Sequence, residues 1–196
     1  MPELEIEFKN LLDEDEYSTL YDTFFKRVPG QSLVNYYIDT PDLALRRSTL
    51  LLRVRRDDGK QIMTLKAPAV KGVLEFNAEV DLDLDNRKHV AQTEVPGVIA
   101  DELEKRHIGF DDLNIYGSLA TERHETEYEG GLLVLDRSSY LGSTDYEIEY
   151  EVSDYDEGEA LFNRLMAEHD IPRRGEVTKS ERFYRVLRKG KDEAQW

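Results

Sequence analysis

The sequence predicts an α+β fold on a mostly antiparallel sheet, with eight or so strands that could close into a barrel. Apolar and charged residues alternate with period two along most of the chain, Gly- and Pro-containing turn signals separate those runs, and few segments carry helical spacing. Residues 3–9 read Glu-Leu-Glu-Ile-Glu-Phe-Lys, which puts charge on one face of a strand and Leu4, Ile6 and Phe8 on the other. Asp13 suits the N-cap of a helix running to about Phe25, with Tyr17, Leu20, Tyr21 and Phe24 on one stripe. After Pro29-Gly30, residues 33–38 read as a second strand, and Thr40-Pro41 suits the cap and first position of a short helical turn. Leu50–Arg56 and Lys60–Lys66 flank Asp57-Asp58-Gly59 and form a hairpin.

Residues 66–72 read as a connector and 73–84 as another long strand. Helices are expected over 97–107 and 111–120. Strands recur at about 121–128, 132–137 and 145–152, with Gly130-Gly131 as a turn. Asp154 and Glu157 resemble a capping box before a helix to about His169. A last strand is expected over 178–187. No repeat, linker or composition break divides the chain, so one domain over 1–190 and a polar tail over 191–196 are expected.

Composition narrows the function classes. The 26 Lys and Arg against 42 Asp and Glu give 26 − 42 = −16 at pH 7. That balance argues against nucleic acid and anionic membranes as partners, since both attract a positive field. With no cysteine, disulfides, thiolate catalysis and Cys-ligated metals are excluded. No apolar run approaches the roughly 20 residues of a membrane span, and Met-Pro-Glu-Leu-Glu is no signal peptide, so a cytoplasmic protein is expected. The motifs H-E-x-x-H, G-x-S-x-G, G-x-G-x-x-G and the P-loop are all absent. Several long alternating strands could support a homodimer through an outer face.

The polar strand faces are unusual in kind. Glu5, Glu7 and Lys9 share one face, as do Glu75, Asn77, Glu79 and Asp81, and Glu147, Glu149 and Glu151. Arg53 and Arg55 share another, and Thr64 and Lys66 a third. Like charges one pleat apart repel, so rows of carboxylates persist more readily with cations among them. Arg, Lys and a divalent metal are the available cations. Carboxylate oxygens without a Cys or His cluster suit Mg²⁺ or Mn²⁺. Carboxylates on one wall and Arg and Lys on another would bind a metal-complexed polyphosphate.

The N-terminal Glu5-x-Glu7-x-Lys9 resembles the signature of the CYTH superfamily, the triphosphate tunnel metalloenzymes. Behind it come Tyr37-Ile-Asp39-Thr40, Leu52-Arg53-Val-Arg55, Thr64-Leu-Lys66 with Pro68, Glu147-Ile-Glu149 and Lys179-Ser180, spanning nearly the whole chain. The likeness is closest to the small YjbK-like branch of Firmicutes. It implies an eight-stranded antiparallel barrel, the triphosphate tunnel, with helices packed outside and charged faces inside. It implies that Lys9, Arg53, Arg55, Lys66, Arg123 and Lys179 hold a small-molecule triphosphate. It also implies that Glu5, Glu7, Glu147 and Glu149 ligate Mg²⁺ or Mn²⁺, with Asp136 and either Glu75 or Glu79 helping. Glu147 or Glu149 would take the proton of the attacking water, and Lys9 would act beside them. The implied activity is hydrolysis of a small triphosphate, inorganic tripolyphosphate first among them. The alternatives are a class IV-type adenylyl cyclase and a non-catalytic polyphosphate or nucleotide sensor. One position departs from the pattern. Glu181 stands where relatives often carry a second lysine; Arg182 could supply the charge from the next position, but a regular strand over 178–187 would turn it away from the Lys179 face.

Overall fold

The computed structural model describes residues 2–193. In chain order the elements are β1 (Glu3–Leu12), α1 (Glu14–Leu20), a π-helical turn (Tyr21–Phe25), β2 (Gln31–Asp39), α2 (Ala44–Arg47), β3 (Leu51–Asp57), β4 (Lys60–Pro68), β5 (Val73–Glu79) and β6 (His89–Val90). They continue through a 3₁₀ turn (Gln92–Glu94), α3 (Gly97–Lys105), β7 (Leu113–Tyr128), β8 (Gly131–Tyr140), β9 (Ser143–Val152), α4 (Tyr155–Glu168) and α5 (Lys179–Glu193). The strands pair in the order β2-β3-β4-β5-β1-β9-β8-β7-β6, and an additional β2–β7 pairing closes the hydrogen-bonded order of the eight long strands. The chain divides into two compact units, Met1–Glu5 with Leu33–Ser118, and Ile6–Ser32 with Leu119–Trp196.

In the first unit the expected hairpin forms with Asp57 opposite Lys60. Asp58 and Gly59 have φ of 43° and 81°, the two left-handed residues of a primed turn whose twist suits the strands. Leu52, Val54, Met63, Leu65 and Phe76 line one face and pack with Leu45 of α2 and with Ile99 and Leu103 of α3. Thr40 is not the helix cap. Leu43, at φ 57°, precedes α2, while the Thr40 hydroxyl accepts the Ala44 N–H and buried Asp39 accepts those of Thr40, Leu45 and Arg46.

In the second unit, residues 6–12 of β1 pair with β9, β9 with β8, and β8 with β7. Phe8, Leu133, Leu135, Ile148 and Tyr150 form its apolar face, packed with Phe162, Leu165 and Met166 of α4 and with Leu20 and Phe25. Gly158 lets α4 approach closely, since a Cβ there would lie 2.5 Å from Val152 and 2.9 Å from Phe8. Asp13 caps α1 in a full capping box with Glu16, as its sequence suggests.

Two expected elements are corrected. Residues 111–120 are not helical, because β7 begins at Leu113, where Val90 pairs across from Leu113 and His89 from Asn114. Residues 178–187 are not a strand but the start of α5. Phe183, Tyr184 and Leu187 follow helical spacing, and the Thr178 hydroxyl accepts the Glu181 N–H at 3.2 Å, as an N-cap does. The strand expected over 73–84 ends at Glu79. Of the expected tail, 191–193 continue α5 and 194–196 lie outside the described residues.

The segment leading into α5 is tied to β1 by side chains. The buried Asn10 amide donates to the carbonyls of Leu11 and Pro172 at 2.9 and 3.1 Å. Its oxygen accepts the Arg174 N–H at 2.7 Å and Arg173 Nη1 at 3.2 Å. Arg173 also donates to the Lys9 carbonyl, and Arg174 to the Leu11 carbonyl and both oxygens of Glu16. We expect Asn10→Ala, which strands several of these buried groups, to lose about 2–4 kcal/mol of stability in denaturant unfolding. A change within about 0.5 kcal/mol, the usual surface value, would show that the segment is held by other means.

Candidate active site

The face of the second unit opposite its apolar core carries its charge. Strand register puts Lys9 opposite Glu149, Glu147 opposite Asp136, and Asp136 opposite Arg123. Asp136, Glu147 and Glu149 are 0%, 2% and 4% exposed, so these groups are interior and must be satisfied there. Lys179, in the first turn of α5, places its ammonium 2.9 Å from Asp136 Oδ2 and 2.6 Å from Glu149 Oε1, and also bonds Glu147 Oε1. Arg123 donates Nε and Nη2 to the two oxygens of Asp136 at 2.8 and 2.6 Å, and Nη2 to Glu149 Oε2 at 2.8 Å. Lys9 pairs with Glu7 at 2.5 Å and lies 3.8 Å from Glu149.

Electrostatics separates the two glutamates. Burial pushes the Glu147 carboxyl above its ordinary range, and neighbouring Glu149 adds to this against the pull of Lys179. Burial acts the same way on Glu149, but Lys179, Arg123 and Lys9 outweigh it and hold that carboxyl well below its range. Burial opposes the charge on Lys179 and Lys9, yet the surrounding carboxylates raise both above the ordinary lysine value.

Arg182, which the expected strand would have turned away, joins this cluster, as does Asp145, which was not expected. Arg182 donates Nη1 to Glu147 Oε2 and Nε to Asp145 Oδ2, both at 2.8 Å. Its side chain lies on the Lys179 side because residues three apart share a helix face, whereas a strand would have opposed them. Glu181 is half-buried and pairs with Arg185, so the departing position lies off the cluster. The helical spacing of α5 was the signal that could have identified Arg182.

In the first unit, Lys66 sits 2.5 Å from Glu5 and 2.6 Å from Glu75. Burial raises the Glu75 carboxyl, but Lys66 and Arg53 outweigh it and hold it down at about 2. Glu75 stands opposite Lys66, while exposed Glu79 stands opposite Ile62, so of the two it is Glu75 that joins the cationic row. Arg53 pairs across from Thr64, which donates to Asn77. The Arg53 Nε is buried with no hydrogen-bond partner among the described residues. Arg55 donates to Asn35 at 3.3 Å.

The donor set suits a hard cation. Asp136, Glu147 and Glu149 offer one oxygen each within 4.8 Å of one another, and oxygen ligands favour Mg²⁺-like ions over softer metals. Two charged clusters of one chemistry, carboxylates interleaved with Lys and Arg, thus stand on the polar strand faces of the two units.

A CYTH domain family model matches residues 3–184. YjbK of Bacillus subtilis (strain 168), named as a candidate triphosphatase, is 40% identical over 189 residues, covering 95% of this chain and 97% of that protein. A solved structure described as a candidate adenylate cyclase from Bacillus halodurans is 29% identical with a TM-score of 0.82, covering 93% of this chain and 98% of that one. HpAC1 from Hippeastrum, described as a candidate adenylyl cyclase with a dominant triphosphatase activity, shares the fold at 22% identity and a TM-score of 0.72, covering 97% and 96% of the two chains. Strand closure, charged faces and a match over nearly the whole sequence agree: the chain belongs to the CYTH domain family.

Proposed function

We propose that this protein is a divalent-metal-dependent triphosphatase of small triphosphates, inorganic tripolyphosphate first among them. The observation that carries the reading is the interior cluster in which Asp136, Glu147 and Glu149 are interleaved with Lys9, Arg123 and Lys179. The name of YjbK, at 40% identity over 189 residues, supports the same activity. Phosphoryl transfer asks for positioning and charge neutralisation more than for covalent help, and buried cations beside oxygen ligands supply both.

In this reading Lys9, Arg123 and Lys179 bind the phosphate oxygens, Arg123 through its planar fork. Asp136, Glu147 and Glu149, with Glu7, would hold Mg²⁺ or Mn²⁺, which supplies neutralisation of the substrate's charge. Glu147 or Glu149 takes the proton of the water that attacks the terminal phosphorus. The CYTH resemblance assigns Arg53, Arg55 and Lys66 to triphosphate binding and Glu5 and Glu75 to metal binding, and the proposal keeps those roles. No helix among the described residues is long and apolar enough to cross a membrane, which accords with the cytoplasmic setting proposed here.

Purified protein given tripolyphosphate, ATP or thiamine triphosphate with Mg²⁺ or Mn²⁺ should release phosphate, fastest from tripolyphosphate, and should stop on chelation. Cyclic AMP with pyrophosphate from ATP would favour the cyclase suggested by the Bacillus halodurans relative, and tight binding without any product would favour a sensor. Lys9→Ala should raise the KM for tripolyphosphate about 10- to 100-fold, the loss of one charge-assisted contact of about 1.5–3 kcal/mol. An unchanged KM would remove Lys9 from the substrate site.

A further inference from the structure

Every oxygen of the three buried carboxylates proposed as metal ligands already faces a cation. Asp136 Oδ1 accepts from Arg123 Nε and Oδ2 from Arg123 Nη2, and Lys179 Nζ forms an ion pair with Oδ2 at 2.9 Å. Glu147 Oε1 accepts from Lys179 and Oε2 from Arg182. Glu149 Oε1 accepts from Lys179 and Oε2 from Arg123. All six oxygens therefore face a cationic N–H, and the Lys179 ammonium stands among one oxygen of each carboxylate, where a metal shared by the trio would sit.

Lys179 is the cation in contact with all three carboxylates. Arg123 grips Asp136 through two parallel hydrogen bonds of a rigid fork, whereas a lysine is a compact charge on a flexible four-carbon stem that can swing without moving the helix. We infer that the Lys179 ammonium holds the divalent-cation position in the substrate-free protein, and that the triphosphate draws it away, so metal and triphosphate bind with strong positive coupling. This deepens the proposed function and rests on it.

The physics is a competition for the same oxygens. A dication and an ammonium a few ångströms apart in a low-dielectric interior repel strongly. An ammonium leaving three carboxylates needs another anion, because an unpaired buried charge is very costly. Phosphate oxygens meet that need. By linkage, the factor by which triphosphate tightens metal binding equals the factor by which metal tightens triphosphate binding.

The test measures Mn²⁺ binding, by the electron paramagnetic resonance signal of the free ion and by the shift in Tm, at fixed free Mn²⁺. It uses wild type, Lys179→Met and Lys179→Arg, each with and without a methylene-bridged triphosphate that cannot be hydrolysed. Wild type should bind Mn²⁺ about 30-fold more tightly with the analogue than without, within the usual range of such couplings. Lys179→Met should bind Mn²⁺ without the analogue and gain Tm on doing so, while Lys179→Arg, whose planar fork gives way less readily than an ammonium, should bind Mn²⁺ weakly with or without the analogue. If Lys179→Met folds only when Mn²⁺ is added, the inference stands; if Mn²⁺ fails to restore it, the inference falls. Equal affinity of wild type with and without the analogue, or Mn²⁺ affinity of Lys179→Met no higher than wild type, would overturn it. Metal-dependent turnover beside either of those results would leave the proposed function standing, whereas no Mn²⁺ binding by any form and no turnover would remove both.

Discussion

A carboxylate on a buried strand face needs a cation within reach, and the ammonium of Lys179 meets that need for Asp136, Glu147 and Glu149 together. The cost of burying those charges explains why so much converges on one side chain. The register of β7, β8 and β9 brings Arg123, Asp136 and Glu147 into one row. Asn10, Arg173 and Arg174 tie the segment before α5 to β1, and α5 delivers Lys179 and Arg182 from one helix face. Helices cover the apolar face of the same strands, so the usual assignment of polar residues to solvent is reversed here.

Buried ion networks are a poor source of stability, since a packed apolar substitute is often as good or better. Their retention here is better understood through the substrate. The bulk charge of −16 suggests repulsion of anions, but sorted by strand face the carboxylates lie beside Arg and Lys in both units. A highly anionic triphosphate arriving with its metal would exchange one set of ion pairs for another.

Much of this was legible in the sequence because a strand's period of two writes each face directly. Glu7, Lys9, Asp136, Glu147 and Glu149 lie where their parity places them. Lys179 was legible as a residue, but its element was not. Charges alternating around Lys179 and Glu181 resemble a strand, while Thr178-x-x-Glu181 and the spacing of Phe183 and Leu187 are helix signals. Arg182 was lost with that misreading. Residues 111–120 were misassigned because β7 owes its start to pairing with the distant residues 89–90, which local spacing does not record. Parity also could not choose between Glu75 and Glu79, since the choice lies in which one stands opposite Lys66.

The central claim is that the buried cluster serves the substrate rather than the fold, and a charge-balanced neutralisation tests it most directly. Setting aside exposed Glu125, 3.6 Å from Arg123, five carboxylates, Glu7, Asp136, Asp145, Glu147 and Glu149, face four cations, Lys9, Arg123, Lys179 and Arg182. Replacing Asp136→Asn, Glu147→Gln and Lys179→Met together leaves 5 − 2 = 3 carboxylates and 4 − 1 = 3 cations. The account predicts a Tm at or above that of wild type and no measurable hydrolysis of tripolyphosphate. A Tm far below wild type with hydrolysis retained would contradict it.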